Sequence, residues 1–279
     1  MFDSKKYREI FSHGIFEIWN KSTKDIYNKT TFIVRKERNT VMSTFLISDV
    51  HGHYSEFEKM LKKIKFTDKD TMYILGDIID RGTENVKMIE FVMTHENVHM
   101  ILGNHEDFLI KAYTATDAIE RKYAEALWMY NGGGTTKREL ETLPEDTRTK
   151  YVEFLKSLPR YLFIQNGSVL LVHAGIFLKK NKTVEELMKE QEENCIWIRE
   201  DFFNSPIDAP FTIIFGHTPT VALPRYCYNL PNDAINNADY AHIVKWNNRI
   251  DIDCGCAYGE RLGCLKLEGM QEFYVKCEE

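Results

Sequence analysis

A chain of 279 residues, 43% hydrophobic and 28% charged, is long enough for one large domain with a sizeable core, or for one domain and an appendage. Its net charge of −6 argues against a broad nucleic-acid or anionic-membrane surface and leaves room only for a local basic pocket. The stretch MFDSKKYREIFSHG lacks the apolar core of a secretory signal and no apolar run approaches a membrane span, so the expected location is the cytoplasm, with the six cysteines as reduced thiols.

Residues 1–42 mix charge with scattered aromatics, end in a basic cluster, and read as an N-terminal extension ahead of a domain over 43–279. From there, apolar runs of strand length alternate with helical patterns. STFLIS leads into DVHGHY, and SEFEKMLKKI then carries apolar residues at helical spacing, with Ser55 as a candidate N-cap. TMYIL leads into GDIIDRG and the helical TENVKMIEFVMTH; NVHMIL leads into GNHED and a longer helical stretch. Strand, charged loop and helix, three times over, predict βαβ units of an α/β fold with the loops gathered at the carboxyl ends of the strands. Residues 112–158 read as a helical insertion broken at NGGGTT. Beyond it the chain turns strand-rich: YLFIQNGSVLLVHAG is a hairpin turning at Asn166-Gly167, followed by the strands of FTIIFGHTP, AHIVKWNNRIDIDCG and GCLKLEGMQEFYVK with Asn-Asn or Glu-Gly turns, and one helix lies near 183–193.

Each charged loop follows a strand, and together they offer Asp49, His51, Asp77, Asn104, His173 and His217. Oxygen donors mixed with imidazole, and no thiolate, suit Mn, Fe or Zn at an open hydrolytic site. Six ligands exceed what one catalytic ion needs while keeping a water, but they suit two ions about 3.5–4 Å apart that share one carboxylate and clamp a phosphoryl group. On that reading one aspartate of GDIIDRG ligates metal, the other serves a different purpose, and the arginine holds phosphate. The DCGC pair has no partner pair at finger-like spacing, so a zinc site is not expected there. NGGG lacks the Lys-Ser/Thr of a phosphate loop and reads as a helix break. His53 reads as a surface group.

The order DVHG, GDIIDRG, GNHE, VHAG, GHT resembles the PPP-type phosphoprotein phosphatases within the calcineurin-like metallophosphoesterases. WMYNGG..T and DIDCGCAYGERLGCL are similar to the small bacterial and phage-type members. The resemblance implies a central β-sandwich of mixed sheets flanked by helices, with a helical insertion near the active site. It also implies two metal ions, Mn²⁺ being the expected one and Fe or Zn compatible. Asp49 and His51 would hold the first ion, Asp77 would bridge, and Asn104, His173 and His217 would hold the second. His105 matches the general acid, Asp80 its partner, Arg81 a phosphate clamp, and Arg199 in CIWIREDF a second one; Tyr258 would line the pocket.

The activity so implied is removal of phosphate from phosphoserine or phosphothreonine of proteins by a metal-bridging hydroxide. Phosphoprotein or phosphopeptide would be the partner, without nucleic acid, membrane or an obligatory regulatory subunit. The protein phosphatases keep DRG around position 80, whereas symmetrical diadenosine tetraphosphatases of the same fold typically lose that aspartate, so Asp80 favours the monoester. A dinucleoside polyphosphate hydrolase and an inactive phosphoprotein-binding scaffold are the alternatives.

Overall fold

Phe45 and Ile47 point to one side of the first strand and Leu46 to the other, and all three are buried. A strand covered on both faces belongs to the interior sheet of a layered fold. The computed structural model describes residues 42–177, 191–206 and 209–278, with Glu186, Met188 and Glu190 between them. The extension expected over 1–42 lies outside the described residues except for Met42, as does most of the helix expected near 183–193.

The chain runs through β1 (Thr44–Ile47), α1 (Tyr54–Ile64), β2 (Thr71–Ile74), α2 (Asn85–Thr94) and β3 (Val98–Met100). β1, β2 and β3 are parallel neighbours, as the alternation predicts. β9 (Arg261–Lys266) and β10 (Gln271–Lys276) add to the other edge of β1 in antiparallel fashion. The second sheet is built from β4 (Tyr161–Ile164), β5 (Val169–Val172), β6 (Thr212–Phe215), β7 (Val244–Trp246) and β8 (Arg249–Asp251) in the order β4-β5-β6-β8-β7. β5, β6 and β8 run parallel, and β4 and β7 are antiparallel edges.

Leu46, Leu75, Ile101, Leu171, Ile214, Ile250 and Leu265, drawn from both sheets, pack into one cluster, the filling of a sandwich. Phe45, Ile47, Met72 and Ile74 face the other way, against Phe57 and Met60 of α1 and Met88 and Ile89 of α2. Leu170, Val172, Ile213 and Phe215 do the same for the second sheet, against Phe202, Leu223 and Ala234. The result is the expected sandwich: two mixed sheets with helices on their outer faces. Among the described residues no helix is long and apolar enough to cross a membrane.

The three predicted hairpin turns form where expected, each through residues with positive φ: Asn166 and Gly167, Asn247, and Gly269. The insertion consists of the end of α3 (Asn104–Thr114), then α4 (Ala118–Tyr130), α5 (Gly134–Glu141) and α6 (Glu145–Lys156). Two expectations need correction. Ser55 is not the N-cap of α1: the helix starts at Tyr54, and the Ser55 amide instead donates to the Glu84 carboxylate (2.8 Å). Nor are all the cysteines thiols, since Cys256 and Cys277 form a disulfide. The antiparallel return of β10 sets Cys277 beside Glu260, whose carbonyl accepts from its amide. Cys254 instead turns into the inter-sheet core, so the two cysteines of DCGC part company. Cys195, Cys227, Cys254 and Cys264 are free and buried.

Candidate active site

Every predicted ligand lies just beyond the carboxyl end of a strand or at a helix start: Asp49 and His51 after β1, Asp77 after β2, Asn104 at the start of α3, His173 after β5, His217 after β6. The loops are contorted. Asp49, His51, Asp77, Asp80, Arg81 and His217 all have φ between 48° and 73°, a region costing non-glycine residues roughly 1–3 kcal/mol each. Cross-loop hydrogen bonds hold them there. The His51 and Gly52 amides donate to the carbonyls of Asp77 and Ile78 (2.9 and 2.8 Å), the Gly82 amide to His51 (3.0 Å), and the Gly216 amide to His173 (2.8 Å). Gly76 (φ 89°) has to be glycine, because a Cβ would come within 2.6 Å of the Gly103 Cα and 2.8 Å of the His173 ring.

The six candidates converge on Asp77. Its Oδ2 lies 3.6 Å from His51 Nε2 on one side and 3.4 Å from His173 Nε2 on the other, the geometry of a carboxylate shared between two positions. Asp49 Oδ1 is 3.9 Å from His51 Nε2. The Asn104 amide oxygen sits between His173 Nε2 (2.9 Å) and His217 Nδ1 (2.8 Å). His51 Nδ1 donates to the Ile79 carbonyl (2.9 Å) and His173 Nδ1 to the Leu75 carbonyl (2.7 Å), which turns both Nε2 atoms inward, as metal-ligating histidines require. All six side chains are buried.

Such a cluster calls for cations. Burial would lower the His173 pKa, yet in the metal-free cluster Asp77 and Asp49 lift it to about 9, the mark of a site whose carboxylates lack their cations. Burial pushes Asp49 up. It also acts to raise Asp77, but the imidazoles of His173 and His105 outweigh it and leave Asp77 well below the usual carboxylate range. His51 and His217 are held far below the ordinary histidine value, first by burial and then by Arg81 and His173 respectively; both are neutral, the form that binds metal. The buried His217 Nε2 has no hydrogen-bond partner among the described residues. Two overlapping triads, His51–Asp77–His105 and Asp77–His173–His217, each bring their donor atoms within 4.8 Å of one another. The His and Asp residues are thus positioned to bind metal.

His105 stands beside the cluster. Its Nδ1 donates to Asp80 Oδ2 (2.7 Å), and its Nε2 accepts from Arg81 Nη2 (3.1 Å). Arg81 Nη1 reaches His51 Nε2 at 2.9 Å. Burial opposes a charged His105, but Asp77 and the hydrogen bond and charge of Asp80 prevail and raise its pKa. Arg199, half-buried at the start of the short helix α7 (Glu200–Asn204), is close enough to feel the charges of Asp77 and Asp49.

Sequence reasoning missed what surrounds Asp80. Its carboxylate is wholly buried and accepts from Thr136 Oγ1 (2.5 Å) and Trp128 Nε1 (2.9 and 3.1 Å), both from the helical insertion. Gly132 and Gly133 let that insertion approach: the Gly132 carbonyl accepts from the Arg81 amide, and a Cβ on Gly133 would overlap the Trp128 indole. The WMYNGG..T string contained the signal, but only as a string. Glu106 was also overlooked; its buried carboxylate gathers the amides of Asp77 (2.8 Å), Ile78 (3.0 Å) and Gly103 (3.0 Å), locking two loops together.

A sandwich whose strand ends gather buried carboxylates and imidazoles around one shared aspartate defines a metallophosphoesterase-type hydrolase. Comparison with known proteins agrees. The calcineurin-like phosphoesterase model matches residues 42–254, well over half of the sequence, and the chain belongs to that family. Among curated relatives, the asymmetrical bis(5′-nucleosyl)-tetraphosphatase PrpE of Oceanobacillus iheyensis is 26% identical, with 81% of this chain and 89% of that one covered. The protein of the same name from Bacillus subtilis is 26% identical over 79% and 89%. A solved structure provisionally described as a diadenosine tetraphosphatase superposes with a TM-score of 0.57 at 18% identity, covering 86% of this chain and 95% of that one, a likeness of fold.

Proposed function

We propose that this protein is a dinuclear-metal hydrolase of dinucleoside tetraphosphates. The observation that carries the reading is the pair of relatives, both named for that activity and aligned over nearly their whole length, set on a site whose geometry suits phosphoryl transfer. This departs from the phosphoprotein substrate expected from Asp80.

Asp49, His51 and the shared Asp77 would hold one ion, and Asp77, Asn104, His173 and His217 the other, with Mn²⁺, Fe or Zn all compatible with the donors. Bound ions supply an activated water and polarise the phosphoryl oxygens. The chain's own groups do the rest. Arg81 would present a planar fork to a phosphate, and Arg199, within electrostatic reach of Asp77 and Asp49, would supply a second positive charge. The His51 lone pair cannot serve both Arg81 and a metal, so with His51 ligating, the Arg81 fork would be free for phosphate. His105, oriented through Nδ1 by Asp80, would carry a mobile proton at Nε2 toward the departing oxygen once Arg81, which donates to that nitrogen here, turns to the phosphate.

One observation favours a second reading. A nucleotide leaving group is a weak base and departs with little help, whereas the alkoxide of serine or threonine needs a proton. The carefully built Asp80–His105 pair therefore speaks for phosphomonoesters of proteins. The test is kcat/KM of the metal-loaded protein on diadenosine tetraphosphate and on a phosphothreonine peptide, with His105→Ala beside both. A preference for the dinucleotide supports the proposal; a preference for the peptide, abolished in His105→Ala, replaces it with the second reading.

A further inference from the structure

Tyr258 is 58% exposed, yet it stands at the mouth of a buried metal-type centre. The Arg81 guanidinium carbon lies 5.2 Å from its ring centroid, a cation–π placement. Arg199 feels the charge of Tyr258 together with those of Asp77 and Asp49, so it lies within electrostatic reach of the ring and of the cluster. The backbone that carries the ring is anchored. It rides on a single turn, Cys256–Tyr258, whose ends are Gly255 and Gly259 with φ of 78° and 74°. Cys256 is buried in the core and covalently tied to Cys277 at the end of β10. An exposed aromatic on an anchored turn, over the Arg81 guanidinium and within reach of Arg199, has little value to the fold, since it buries less than half of itself.

We propose that Tyr258 is the stacking platform of a nucleobase subsite, holding the purine of a substrate whose phosphates lie between Arg81 and Arg199. This rests on the dinucleoside reading above and gives it a specificity residue. One ring face lies on the Arg81 guanidinium and the other is offered to the base. Stacking of this kind accepts any base, because each has a π-face, and it selects nucleotides over inorganic polyphosphate and over peptides without aromatic neighbours.

The test is calorimetric binding of two probes to the Mn²⁺-loaded protein: a methylene-bridged, non-hydrolysable analogue of diadenosine tetraphosphate, and tripolyphosphate, which has the charge without the base. Tyr258→Ala is expected to weaken the analogue about 5- to 150-fold, the range of base–aromatic stacking, and tripolyphosphate much less. Tyr258→Phe keeps the ring and keeps the affinity; Tyr240→Ala, another exposed tyrosine, behaves as wild type. Equal weakening of both probes would mean that Tyr258 merely props Arg81, and no weakening of either would remove it from the site; each overturns the proposal. Wild-type protein that holds the analogue no tighter than tripolyphosphate would do so too. The broader reading fails separately, when diadenosine tetraphosphate is bound or free but not hydrolysed.

Discussion

Asp80→Asn is nearly isosteric, and it should be one of the more damaging single changes in the protein. The Asp80 carboxylate is fully buried and its side-chain partners are all donors: Thr136 Oγ1 to Oδ1, His105 Nδ1 to Oδ2, and Trp128 Nε1 to both, nearer Oδ2. A carboxylate accepts from all of them. An asparagine has one oxygen, so its NH₂ must stand either beside Thr136 or beside His105 and Trp128, and at least one donor is left facing another. The lost charge-assisted bond to His105 is worth about 1.5–3 kcal/mol, or about 10- to 150-fold in any step that needs the imidazolium. The unsatisfied donor costs a further ~1–3 kcal/mol of stability. The assay is kcat/KM on aryl phosphates of graded leaving-group pKa, followed by a basic alkyl phosphate. The loss should grow with leaving-group basicity and nearly vanish for the best leaving group. Uniform losses across the series would refute the reasoning, because they would show that Asp80 acts on the metal cluster or the fold instead of on His105.

The same network fixes a pH dependence. His105 has a raised pKa in the folded protein, so its acidic form persists to higher pH and activity is lost as pH rises through that value. Asp80→Asn should move this alkaline limb to lower pH in a pH–rate profile. Glu106→Gln places an NH₂ against backbone amides that all donate and should cost about 1–3 kcal/mol, read as a Tm lowered by roughly 2–4 °C per kcal/mol with metal content retained. Asp77→Ala removes the shared carboxylate, and elemental analysis should find both ions lost, whereas His217→Ala spares the ion nearest His51. Alkylation of the denatured, unreduced protein should label four cysteines, Cys195, Cys227, Cys254 and Cys264, and spare Cys256 and Cys277.

Much of this architecture could be read from the chain because its signals are local. Strands such as β1 and β6 announce themselves as short apolar runs, and the ligands follow them within a few residues. The antiparallel edges were equally readable, since Asn166-Gly167 and Gly269 sit where a left-handed turn is needed. What escaped notice was non-local. Nothing in the spacing of Trp128 and Thr136 says that they meet Asp80, 48 and 56 residues away, in a pocket that only the folded insertion creates. Glu106, two residues from Asn104, looks like an ordinary first-turn acid, and its partners lie across a loop. The Cys256–Cys277 bond likewise depends on a strand register that no cysteine count reveals.

The most direct measurement is a metal titration of the chelator-stripped protein, with bound Mn²⁺ counted per chain while hydrolysis of diadenosine tetraphosphate is followed in the same samples. Two ions per chain at saturation, with hydrolysis rising as the second site fills, is the result expected of Asp77 shared between two ligand sets. Full activity with one ion bound, or two ions bound and no hydrolysis, would contradict it.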